Sequence, residues 1–258
     1  MDNSANSSSS NAANNNAAGG IGEMLRTLIF AGIIAFGIRT FAFEPFNIPS
    51  GSMMPGLQIG DFLFVSKYTY GYSSKSATFG VLPIEGRIGG KLPERGDVIV
   101  FKPTPNPSMD FIKRLVGVPG DVIEVKSGVL IINGKAIERE RLGPVMFEDR
   151  TGQPMHKATE YRETMAPGVN YVIYQEYDNG PLDNFGPTTV PPEHYFFMGD
   201  NRNNSSDSRT NVVGFVPKEN IVGKAQFVWF SLDKDAHFWE FWKWPYAIRW
   251  DRMFRFIH

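Results

Sequence analysis

The stretch GDVIVFKPTPNPSMDFIKRLVGVPGDVIEVKSGVLIING, residues 96–134, decides the fold class. It holds short apolar runs rich in Val, Ile and Phe, cut apart by Pro, Gly, Asn and Asp. Branched and aromatic side chains suit a pleated surface, and such short runs between turn formers read as strands rather than helices. The run Gly128-VLII-Asn133 leads into Asn133-Gly134, the dipeptide of a tight hairpin turn. Between Asp110 and Asp121, Phe111, Lys113 and Leu115 alternate with Ile112, Arg114 and Val116. One cation therefore falls on each face of an otherwise apolar strand.

The same pattern continues outward. Asp61-FLFV-Ser66 precedes this stretch; Asn170-YVIY-Gln175, His194-YFFM-Gly199 and Ile221-VGKAQFVWF-Ser231 follow it. Between residue 44 and the C-terminal end no long apolar period of 3.6 appears, so the body is expected to be mostly β, with an antiparallel or mixed sheet. Tyr68 to Arg95 and Leu142 to Gly168 carry no strand signal and read as long loops or insertions.

The N-terminal end differs. Residues 1–20 are almost only Asn, Ser, Ala and Gly, the composition of a disordered tail. Met24-LRTLIFAGIIAFGIRTFA-Phe43 is apolar on all sides, with Arg26 and Arg39 near its ends, where they can snorkel to the two interfaces. A retained transmembrane anchor over 21–43 is favoured over a buried soluble helix, which would be apolar on one face. A cleaved leader is disfavoured because the positive leading region is nearly absent. One Arg on each side leaves the orientation unset by charge. Over 236–258, Trp239, Trp242, Trp244 and Trp250 interleave with Lys243, Arg249, Arg252 and Arg255. That pattern suits a membrane interface, and equally a terminal segment packing its rings on the domain.

Composition narrows the function. The chain has 26 basic and 27 acidic residues, a net charge of −1, which gives no footprint for nucleic acid. It has no cysteine, so disulfide scaffolds, thiolate metal clusters and cysteine nucleophiles are excluded. The four histidines are scattered without metal-ligand spacing, and no glycine-rich phosphate loop appears. No metal and no cofactor are expected.

Three segments carry candidate chemistry. In Pro49-Ser50-Gly51-Ser52-Met53-Met54-Pro55, two hydroxyls flank a glycine in a turn stiffened by prolines. Lys113 lies in the apolar strand, where desolvation would favour its neutral form. Gly199-DNRNNSSDS-Arg209 is a dense polar loop after an apolar strand. Taken singly these read as a turn, an edge lysine and a side-chain-bonded loop.

Together, PSGSMMP, FIKRLVGVPGD and GDNRNNSSDSR, with RGDVIVF at 95–101 and in this order behind an apolar anchor, resemble the bacterial type I signal peptidases. The resemblance runs from about Pro45 to Ser231. It implies a membrane-bound serine endopeptidase that removes signal peptides from exported preproteins, cutting after small residues in the A-x-A manner. It implies that Ser52 is the nucleophile and Lys113 the general base. The Ser52 N–H and Ser50 Oγ would form the oxyanion hole, Ser205 would orient the lysine amine, and Asp200, Arg202, Asp207 and Arg209 would hold the third segment together. Phe46, Ile48, Met53, Leu57, Asp110 and Ile112 are carried over as substrate-binding positions. Asn203 departs from the pattern, standing where many members have Asp. The implied architecture is an antiparallel or mixed β catalytic core (44–121 and 198–235), an inserted accessory β region (122–197) and an aromatic-basic tail (236–258). The implied setting is the inner membrane, as a single-pass monomer in contact with lipid, with the catalytic domain on the periplasmic side. Ser52 stands nine residues beyond Phe43, a reach of at most about 30 Å.

The rivals differ in class. A self-cleaving repressor would need a helix-turn-helix, for which the anchor leaves no place. A conjugation-type processing protease would share the dyad but not the substrate range. A tethered β module binding exported chains or lipid would carry the motifs without chemistry.

Overall fold

In a computed structural model of the protein, the structure describes residues 9–76, 84–148, 155–165, 168–233 and 239–257. The longer elements, in chain order, are α1 (Ser9–Phe41), β1 (Phe43–Asn47), β2 (Asp61–Ser66), β3 (Val98–Phe101) and β4 (Phe111–Gly117). They continue with β5 (Val122–Lys126), β6 (Val129–Ile132), β7 (Glu138–Phe147) and β8 (His156–Met165). The last four are β9 (Val169–Gln175), β10 (Phe185–Thr189), β11 (His194–Met198) and β12 (Ile221–Ser231). The protein is mostly β, as expected.

The main sheet runs β1-β2-β12-β3-β4-β11 and ends on Val216–Pro217, every neighbour antiparallel. The C-terminal pair Arg255–Phe256 adds to β12 at Phe227 and Val228, beyond the point where β3 leaves that edge. Two smaller sheets follow β4. One is β10-β5-β6 extended by Lys135–Ala136, and the other is β7-β8-β9. The expected Asn133-Gly134 hairpin forms, with both residues at positive φ (53° and 77°) as such a tight turn requires.

The main sheet packs into core clusters on both faces, except on the outer side of β1, β2 and part of β12, which is only partly buried. Leu63, Val65, Val98, Val100 and Val228 pack in one cluster with Ile48, Met53 and Leu57 from the loop after β1. Ile99, Phe101, Leu115 and Phe197 fill another. A third joins Val116, Phe196 and Met198 of the main sheet to Ile123, Val125, Leu130 and Ile173 of the smaller sheets. The accessory region thus shares a core with the main sheet instead of packing by itself.

Three expectations need correction. Leu142 to Gly168 is largely the long hairpin β7–β8, not a loop. Its strands are rich in charged and exposed residues, which hides them from a search for apolar runs. The strand His194–Met198 pairs with β4, so the main sheet resumes before residue 198, the boundary expected from sequence. The helix at the N-terminal end begins at Ser9 and ends at Phe41, so it starts well before the expected anchor over 21–43. Residues 9–20, expected as part of a disordered tail, continue the apolar helix as backbone, since extending an existing helix costs far less than starting one. The expected tail over 1–8 lies outside the described residues. Within α1, Gly22–Phe41 is 20 residues long with mean hydropathy 1.6 and almost wholly exposed, long and apolar enough to cross a membrane.

The central packing gives a direct test. Leu63→Ala removes a fully buried side chain beneath the loop after β1. Unfolding in urea should show a loss of about 2–5 kcal/mol with an unchanged m-value.

Candidate active site

The segment after β1 is pinched at its base. Ile48 N–H donates to Asp61 O at 2.8 Å, and Gly60 N–H donates to Ile48 O at 3.0 Å. Between these points the chain makes a 3-10 turn, Gly51–Met53, with Ser50 in extended conformation just before it. Met53, buried beneath, anchors the turn in the core. Ser52 is the second residue of the turn, so its N–H is among those such a turn leaves without an internal acceptor. Ser50 Oγ lies 3.4 Å from Ser52 Oγ.

Lys113 enters from β4. Only 3% of it is exposed, and its Nζ lies 2.6 Å from Ser52 Oγ and 2.9 Å from the Ile112 carbonyl. Burial lowers the amine pKa to about 8, against the opposing pull of Asp207 and Asp200. Each carboxylate is matched by a guanidinium. Arg114, on the opposite face of β4, grips Asp200 through Nε at 2.9 Å and Nη2 at 2.8 Å. Arg209 grips Asp207 through Nε at 2.9 Å and Nη2 at 2.7 Å. Burial pushes the Asp207 carboxyl up, but the Arg209 guanidinium and the Gly199 and Arg209 N–H groups more than reverse this and hold it below its ordinary range.

The third segment lies against the turn. Asn201 donates from its backbone to Ser52 O at 3.1 Å and from Nδ2 to Gly51 O at 3.3 Å. Gly199 is fully packed between the two: a Cβ there would lie 2.6 Å from Ser52 O and closer still to Ser205 Oγ. Arg202 reaches into the accessory region, where it pairs with Glu163 of β8, which also accepts from Tyr171 Oη at 2.8 Å. The departure at Asn203 has a local reason. Its Oδ1 accepts from Glu176 N–H at 2.8 Å, and its Nδ2 donates to Asp183 at 3.1 Å. An Asp there would face Asp183 with like charge.

A cleft of about 440 Å³ opens over Ser52 and Lys113. Of the carried-over substrate positions, Asp110 and Ile112 line it. Phe46, Ile48, Met53 and Leu57 do not; they pack in the core cluster beneath. Ile59, Met109, Phe111, Asn204 and Ser206 complete the walls. Ser205 is brought close but makes no bond: its Oγ is buried without a hydrogen-bond partner, so the expected contact with Lys113 is not formed in this structure. Sequence reading also missed Arg114 as the partner of Asp200, and Asn201, Gly199 and Glu163. Arg114 alone had a signal, a second cation within an apolar strand.

A hydroxyl held against a buried, easily neutralised amine is the equipment of a serine hydrolase whose base is a lysine. Residues 21–230 match the family described as signal peptidase, peptidase S26. The chain is 43% identical over 206 residues to signal peptidase I of Rickettsia typhi, covering 77% of this chain and 76% of that one. It is 42% identical over 213 residues to signal peptidase I of Rickettsia massiliae, covering 80% and 78%. A crystal structure of a signal peptidase I from Enterococcus faecalis V583 matches at 28% identity and a TM-score of 0.31, covering 52% of this chain and 97% of that one. The chain belongs to the signal peptidase family, peptidase S26, and is a peptidase.

Gly199→Ala tests the close packing of the third segment on the turn. The added methyl should cost about 1–3 kcal/mol of stability. Cleavage of a preprotein should fall more than the folded fraction, as read from rate and circular dichroism on the same sample.

Proposed function

We propose that the protein is a membrane-bound serine endopeptidase that removes N-terminal signal peptides from exported preproteins, with Ser52 as nucleophile and Lys113 as general base. The observation that carries this reading is the 2.6 Å approach of a buried Lys113 amine to Ser52 Oγ. Ser52 Oγ attacks the scissile carbonyl as its proton passes to Lys113 Nζ. The carbonyl oxygen, now negative, takes hydrogen bonds from the Ser52 N–H and the Ser50 hydroxyl. Collapse breaks the C–N bond, and Lys113 returns the proton to the leaving amine. Water then attacks the acyl-enzyme with Lys113 again as base, releasing the signal peptide and freeing Ser52. Asp200, Arg202, Asp207 and Arg209 keep the third segment in place. Ser205 contributes by holding the amine's remaining N–H once Ser52 has turned toward the carbonyl.

The edge of β4 supports the way substrate binds. β11 pairs with β4 only from Arg114 onward, so among the described residues Phe111 to Lys113 have an unpaired edge next to Ser52. An extended peptide adding there would bring its scissile bond over the turn. The walls at Ile59, Phe111 and Ile112 leave shallow space, which suits the small side chains of an A-x-A site.

The membrane setting rests on α1 and on the surface around it. The outer side of β2 and β12 presents Phe62, Phe64, Phe227 and Trp229 in mutual ring contact, continued to Phe43 at the helix exit. Trp239, Trp242 and Trp250 are exposed in the C-terminal segment. Rings of this kind belong at a bilayer interface. We place the catalytic domain on the periplasmic side of the inner membrane, acting as a monomer.

The experiment is cleavage of a detergent-solubilised preprotein bearing an A-x-A site. Wild type should cut it, and Ser52→Ala and Lys113→Met should not; cleavage surviving in either variant overturns the dyad. Ser50→Ala should lose about 10²–10³ in kcat. Only the neutral amine accepts a proton, so the wild-type rate should rise as pH climbs through about 8.

The same titration should also raise stability with pH. The folded-state pKa of Lys113 lies below the ordinary value of 10.5, so the folded form binds fewer protons. Its penalty is full below pH 8 and vanishes above the unfolded value. Lys113→Met, inactive, should therefore be at least as stable as wild type at pH 7 by urea unfolding, with the difference shrinking above pH 10.

A further inference from the structure

The family match ends at residue 230, yet two arginines beyond it reach back to the segment that carries Ser52. Asp61, wholly buried at the start of β2, accepts from Arg252 Nε at 3.0 Å and Nη2 at 2.6 Å, and from Ser231 Oγ at 2.7 Å. It also accepts from Gln58 N–H at 2.8 Å and lies 3.4 Å from Arg249 Nη2. Arg252 Nη2 donates to Gly56 O at 3.1 Å. Arg249 donates to Ile59 O at 2.6 Å, to Gln58 Oε1 at 3.0 Å and to Ser231 Oγ at 2.8 Å. These acceptors sit on the stretch that descends from the Ser52 turn to β2. The approach is close enough to exclude a side chain at Gly60, whose φ is +89° and whose Cβ would run into Leu232 O.

The arginines are themselves fixed. Arg249 N–H donates to Ser231 O at 3.0 Å, Leu232 bridges Ile248, and Arg255–Phe256 pairs with β12. The C-terminal segment is therefore stitched to the last strand of the main sheet. From there it holds three successive points of the segment after Ser52, at Gly56, Gln58 and Ile59. Without these donors the Gly56 and Ile59 carbonyls would lose their arginine partners and the buried Asp61 carboxylate would lose its cationic ones, keeping only Ser231 Oγ and the Gln58 N–H.

We propose that Arg249 and Arg252 are positioning residues for the Ser52 turn, forming a C-terminal clamp that fixes the nucleophile and its backbone N–H relative to Lys113. The inference rests on the assignment of Ser52 made above. Neither arginine lines the cleft over Ser52 and Lys113. The clamp acts on the distance and direction of Ser52, so it bears on turnover and not on peptide affinity or on the surroundings of the amine.

The test uses the full-length enzyme in detergent and lipid with an A-x-A peptide. Active sites are counted by exhaustive labelling with a mechanism-based acylating inhibitor, read by mass spectrometry of the Ser52 peptide. In Arg252→Gln, kcat per labelled site should fall about ten- to a hundredfold, the size expected of a small misplacement. KM and the acidic limb of the pH profile should stay unchanged. Arg252→Lys, which keeps the charge but loses the fork, should recover part of the loss. A variant that only loses stability would show fewer labelled sites with full kcat per site, and that result overturns the clamp. Arg249→Gln, at the more exposed arginine, provides the second variant should Arg252→Gln fail to fold. A drop of about three- to tenfold per labelled site supports the clamp, and no drop overturns it. Failure to label Ser52 in wild type removes the Ser52 assignment and the clamp with it. Labelling of Ser52 with normal turnover in both variants removes the clamp alone.

Discussion

The structure turns on keeping one buried amine free to lose its proton. Lys113 is almost entirely out of solvent, and desolvation favours its neutral form. Two carboxylates nearby, Asp200 and Asp207, pull in the opposite direction. Left bare, they would stabilise the ammonium. Arg114 and Arg209 answer them with two-point grips. Buried ion pairs are weak contributors to stability because desolvation offsets their attraction. Here the pairs make more sense as electrostatic neutralisers, which let burial decide the state of the lysine. The two residues also help build the site. Asp207 accepts the Gly199 N–H and so fixes the loop's first residue, while the Asp200 carbonyl accepts from Tyr174.

A neutral amine is of use only if the hydroxyl is held against it, and three parts of the chain converge on that. β4 supplies the lysine, with its main-chain neighbours β3 and β11 fixing the strand on both sides. The polar loop supplies Asn201, whose two donors reach Gly51 and Ser52 carbonyls. The accessory hairpin supplies Glu163, which holds Arg202 within that loop. The region inserted between the second and third segments is therefore part of the machinery that shapes the site. Its shared core with Val116, Phe196 and Met198 makes it mechanically continuous with β4.

Much of this was legible in the sequence, for identifiable reasons. The central main-sheet strands β3 and β11 are buried on both faces, and β2 and β12 carry rings on their outer side, so all four appear as apolar runs. Lys113 stood out because a cation within such a run is unusual. The hairpin β7–β8 was invisible because its strands are rich in charged and exposed residues, a composition that resembles a loop. The partners of the charged loop residues were hidden by distance along the chain. Nothing local tells Arg202 that Glu163, thirty-nine residues away, will lie opposite. The core packing of three carried-over substrate positions was hidden for a different reason. Ile48, Met53 and Leu57 are apolar and near Ser52 in sequence, but a 3-10 turn at residues 51–53 directs them into the core, leaving Ile59 and Ile112 to face the cleft.

The route from helix to site is short and tightly tied, and this limits what can move. Lys67 N–H donates to Ala42 O at 3.0 Å, Tyr72 Oη donates to Phe41 O at 2.5 Å, and the buried Lys67 amine meets Glu44 at 2.8 Å. The last turn of α1 is thereby joined to β2 and the loop after it. β1 then pairs with β2 along its whole length before the chain reaches Ser50. A flexible linker would let the domain sample distances from the bilayer much larger than the helix end itself. A paired strand does not, because every residue from Phe43 to Asn47 has a fixed partner. β2 also carries part of the aromatic outer face, shared with β12 and continued by Phe43 of β1. The end of α1, this ringed surface and the Ser52 turn are consequently tied to the β1–β2 pair, and a change in the register of β1 on β2 would displace them together.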